Sequence, residues 1–159
     1  MFWMRKYAAK LACTLILATS FAGNSIAKEL RPLEDIAADA ARPYSLARCG
    51  AMHQAIMEWV GEERLSDNWA TSDAIRERFI IYAIFMASAD GQGQPEAIAE
   101  FVVRDVRNIA DRYLARFEAN YASEGQAFGN DAIVQSDLDF CKTLIEGLES
   151  PTDGSKPTK

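Results

Sequence analysis

Cys49 and Cys141 constrain this chain more than any other feature. Each lies on an apolar line of helical spacing. Leu46, Cys49, His53, Ile56 and Val60 recur at intervals of three and four, and so do Leu138, Cys141, Ile145 and Leu148. Both cysteines therefore face a core, where a structural half-cystine belongs. A Cys49–Cys141 bridge closes a loop over most of the domain. The chain-entropy model puts such a bridge at about 4–5 kcal/mol.

The third cysteine, Cys13, belongs to a different kind of segment. Residues 1–27 read as a secretory signal peptide. Arg5, Lys6 and Lys10 form a basic start, "LACTLILATSFAG" is an uncharged run, and Ser25 and Ala27 are the small residues before a cut at Lys28. The run is shorter than the roughly 20 residues of a spanning helix. Cys13 opens the hydrophobic region rather than ending it, and Lys10 precedes it. A lipid-modified cysteine does not fit there. An exported chain left with two cysteines is read for a disulfide first. The expected location is the periplasm or the medium.

Cleavage changes the charge. The whole chain has 17 Lys+Arg against 23 Asp+Glu, net −6; without Arg5, Lys6 and Lys10 it has 14 against 23, net −9. Such a chain repels nucleic acid and anionic lipid, so neither is an expected partner.

The rest of the chain reads as helix, with no β-pattern and no internal repeat. Residues 28–42 suggest a short lead-in helix. A first long helix is expected over 44–63, with Pro43 in its first turn. "RLSDNWATSD" reads as a loop. The second helix, 73–89, contains "FIIYAIFMASA", apolar on nearly every side, and is expected to be the central helix. "DGQGQP" reads as a turn. It lacks the third glycine of a nucleotide loop, and Phe101 stands where a calcium loop needs glutamate. The third helix, 95–122, carries Ile98, Val102, Val106, Ile109, Tyr113 and Phe117 on its core side. The last helix starts at Asp131 or Ser136, "SDLD" having capping-box spacing. Residues 150–159 read as a disordered polar tail. The expectation is one all-α domain over 28–149, an antiparallel four-helix bundle locked by Cys49–Cys141. In up-down-up-down order the two cysteines stand at nearly equal height.

His53 is the one histidine of the chain. Cys49 and His53 are four apart, but an oxidised Cys49 is neither nucleophile nor ligand, and nothing near them orients the ring. His53 with Met57 and Met86 outlines a candidate ligand pocket between helices. Imidazole with thioether suits copper or haem. One histidine is few, however, and methionine is ordinary core filler. No metal and no cofactor is expected. Trp69 in the polar loop is a candidate contact surface, with packing the simpler role. The charge run on the third helix reads most simply as a solvated face, with an arginine-lined anion site as the lesser alternative, because Arg104, Arg107 and Arg112 do not share one line. No Ser-His-Asp motif and no paired carboxylate stands out. The expected function is a non-catalytic exported module that binds another envelope protein, with no membrane span after signal cleavage. The alternative is a small-ligand, metal or haem binder near His53.

Overall fold

The computed structural model describes residues 30–38, 40–89 and 93–149. The expected signal peptide, the first half of the "DGQGQP" turn and the expected polar tail lie outside the described residues. Six helices lie among the described residues: α1 Leu33–Ile36, α2 Arg42–Val60, α3 Glu62–Leu65, α4 Asn68–Ala89, α5 Pro95–Glu124 and α6 Ala132–Glu149. The fold is an all-α bundle of four long helices, with Cys49 joined to Cys141 and their Cα atoms 5.5 Å apart.

Successive long helices run antiparallel. Gly50 and His53 of α2 meet Phe79 of α4, while Met57 reaches the level of Trp69 and Asp73. Between α5 and α6, Tyr113 meets Asp137, and Arg116 and Asn120 meet Asp131. The cysteine heights match as that order requires.

Local chemistry sets the helix ends. Pro43 and Pro95 occupy first turns, where a missing N–H leaves no bond unmade. Gly125 ends α5 in the left-handed region at φ 70°, its N–H bonded to Tyr121 O. Asp131 caps α6, accepting from the N–H groups of Ile133 and Val134 at 3.0 and 3.2 Å. Ser136, the other candidate start, is inside the helix, and its buried Oγ has no hydrogen-bond partner among the described residues.

Four expectations need correction. The lead-in helix is a single turn, α1. α5 extends two residues past the expected end. The expected loop is largely helical: residues 62–65 form α3, and α4 begins at Asn68. Its polar residues favour caps and turns, yet the helix they open is packed along α2, with Trp69 and Met57 on the walls of one shallow cavity. That packing outweighs the weak propensity.

The fourth concerns which helix is central. α2 is, not α4. α4 buries only Phe79 and Ala83 among its described side chains, while every residue from Ser45 to Met52 is buried. Ala47, Gly50, Ala51 and Ala55 give α2 a low hydropathy contrast, yet small residues are what let neighbouring helices close in. A Cβ on Gly50 would sit 3.1 Å from Ile80 Cγ1 and 3.5 Å from Arg76 O. The apolar excess of α4 is left partly outside. No described helix is long and apolar enough to cross a membrane.

Candidate functional site

A polar cluster sits where α2, α5 and α6 converge. Arg48 follows from α2 being enclosed over Ser45 to Met52: nearly two turns into the helix, its side chain is almost wholly buried. Arg48 and Asp137 are 1% and 0% exposed, and the guanidinium Nη2 donates to Asp137 Oδ2 at 2.6 Å. Arg48 Nε donates to Tyr113 Oη at 2.9 Å, and Tyr113 in turn donates to Asp137 Oδ2. The other carboxylate oxygen accepts from Leu33 N at 2.6 Å, and Arg48 Nη2 also donates to Arg31 O at 2.5 Å. The cluster thus ties the segment around α1 to three long helices. Burial alone would favour neutral Arg48, but Tyr113 and Asp137 hold its pKa above the ordinary value. Burial also pushes the Tyr113 phenol up, with Asp137 adding to it, so Tyr113 stays a donor.

Beside the cluster lies a half-open cavity of about 400 Å³. Tyr44 and Arg48 reach it from α2, and Asp105, Ile109 and Arg112 from one face of α5. Leu30, Arg31 and Ile36 complete the wall. The other arginines of α5 point elsewhere: Arg107 pairs with Glu58 at 2.6 Å and Asp111 at 3.0 Å, and Arg104 lies over the Phe101 ring.

A second polar cluster organises the α5–α6 connection. Asp131 accepts from Arg116 and Asn120 besides capping α6. Burial opposes the Asp131 carboxylate, but these hydrogen bonds outweigh it and draw its pKa below the ordinary value.

The residues singled out from the sequence are not gathered in one cavity. His53 stacks on Phe79, centroids 5.9 Å apart, and burial lowers its pKa. Met86 packs against the core on α4. Met57 and Trp69 line a separate shallow cavity of about 210 Å³ with Asp73 and Arg76. Among the described residues, no three His, Cys, Asp or Glu side chains converge as a metal site.

A larger open groove, about 630 Å³, runs between α4 and α5. Ile80, Ile81, Val103 and Val106 line it, with Arg76, Glu77 and Arg107 at its edges. Ile81 is 63% exposed and Val103 53%; Phe85, one turn beyond Ile81, is 65% exposed.

Arg48, Tyr113 and Asp137 were not apparent as a group in the sequence. The available signal was Asp137 itself, on one line with Val134 and Cys141 at helical spacing. An acid on a buried line needs a partner. No protein-family model, curated protein or solved structure matches this chain.

Proposed function

We propose that this chain is an exported, non-catalytic interaction module that docks an amphipathic helix of another envelope protein in the α4–α5 groove. The observation that carries the reading is the uncovered apolar face of Ile81, Phe85 and Val103. A cluster of that kind, rimmed by charge, characterises protein contact sites. A groove between two antiparallel helices suits a third helix, with apolar anchors at intervals of three and four. The rim adds a polar frame: Arg76 is paired with Asp73, and Arg107 with Glu58. The disulfide fits an oxidising compartment, and the sequence carries a signal-peptide pattern. The alternative pocket near His53 has less support, because that ring is occupied in packing on Phe79.

The test is in-cell photocrosslinking from position 103, with a probe at exposed Glu118 as control. A discrete adduct with one other protein is expected from 103 alone, and Ile81→Glu with Phe85→Glu should abolish it. The absence of any adduct, or an adduct only between two copies of this chain, would overturn the reading. Denatured mass separately checks export: the mature chain should begin at Lys28.

A further inference from the structure

We propose that the cavity between α2, α5 and the segment around α1 binds a small organic carboxylate with an apolar body. This site is separate from the α4–α5 groove. Three arginines, Arg31, Arg48 and Arg112, line one cavity in a chain whose overall charge is −6. They come from three different segments, so the fold assembles them; no line on a single helix does.

Arg48 makes this more than a solvated patch. Its side chain is almost wholly buried, yet it lines the cavity. Nε and Nη2 are held by Tyr113, Asp137 and Arg31 O. These contacts engage Nε and Nη2 and leave Nη1 outside them. A guanidinium fixed on one side and open on another is preorganised, because the ordering of its long side chain has already occurred on folding. Neither Arg31 nor Arg112 is in an ion pair among the described residues.

Charge selects the ligand. Asp137 balances Arg48, and Asp105 on the cavity wall offsets one further arginine. One positive charge is left over. A monoanionic carboxylate matches that remainder and the planar arginine fork; a phosphate dianion exceeds it. Leu30, Ile36 and Ile109 supply apolar wall for the remainder of the ligand. The volume lies within the usual range for small-molecule sites, about 300–1,000 Å³.

The experiment is calorimetric titration of the oxidised mature protein with sodium hexanoate, hexanol and hexyl phosphate. Hexanoate should bind, more weakly as salt is raised, and hexanol should bind at least about tenfold less tightly, the equivalent of ~1.4 kcal/mol. Arg112→Gln should lose about tenfold in hexanoate affinity at unchanged thermal midpoint, since Arg112 is exposed. Arg104→Gln, on the same helix but off the cavity, should bind as the parent does. Failure of hexanoate to bind, equal binding of hexanol, or an Arg112→Gln variant that binds as the parent does would each overturn the site. Tighter binding of hexyl phosphate than of hexanoate would overturn the assignment to a carboxylate.

Discussion

Arg48 and Asp137 lie 89 residues apart and meet at 2.6 Å, both almost wholly buried. The pair stands immediately beside the disulfide: Cys49 follows Arg48, and Cys141 is one helical turn beyond Asp137. A covalent and an ionic link therefore join α2 and α6 over the same stretch, and Tyr113 extends the ionic one to α5.

Asp137→Asn should destabilise the fold by about 3–5 kcal/mol, because it leaves Arg48 charged, buried and uncompensated. Replacing the whole cluster, with Arg48→Met, Asp137→Leu and Tyr113→Phe, should recover most of that loss. Urea unfolding of the single and triple variants measures both. A triple variant no more stable than Asp137→Asn would mean that the network contributes more than its desolvation costs.

Reduction should lower stability by up to about 4–5 kcal/mol, the chain-entropy figure for a loop of this length, the cysteines being 92 residues apart. Thermal melts with and without dithiothreitol give the shift. Two thiols titratable in the untreated folded protein would contradict the bridge.

Stability should fall on mild acidification. His53 is held below its ordinary pKa of about 6.5 by burial. As pH drops through 6.5, the unfolded chain takes up a proton that the folded chain resists, so the unfolded state gains. The loss continues until pH passes the folded-state pKa. With one histidine in the chain, no other side chain titrates at ordinary values between about pH 5.5 and 7.5. His53→Phe keeps an aromatic ring against Phe79 and should flatten the slope in that window. An equally steep slope in the variant would place the titration elsewhere.

Gly50→Leu should cost about 1–3 kcal/mol through overpacking between α2 and α4. Gly50→Ala should be close to neutral, since about 1 kcal/mol of helix propensity offsets the tight approach to Ile80. Differential scanning fluorimetry separates the two. A leucine variant as stable as the parent would show that α4 does not lie against Gly50.

The helices themselves were legible where apolar periodicity was strong. On α5, Val102, Val106, Ile109, Tyr113 and Phe117 are buried as their spacing implies. The start of α4 was not legible, because Asn68 to Asp73 carry turn chemistry and only the packing of α4 along α2 accounts for their helix. The central place of α2 was not legible either. Hydropathy rewards the bulk of Ile81 and Phe85, which stand in solvent, over the small size of Ala47, Gly50 and Ala51, which lets α2 be surrounded.

The sequence alone determined the all-α class and the disulfide pairing, because helical periodicity and cysteine count are local or arithmetic properties of the chain; the antiparallel order was an expectation that the long 122–135 connection left open. Only the tertiary structure decided which polar residues matter. Arg48, Tyr113 and Asp137 belong to three different helices, and Arg31, Arg48 and Arg112 to three different segments. Their partnership is a matter of distance and burial. Both quantities arise only when the helices pack, so no spacing along the chain encodes them.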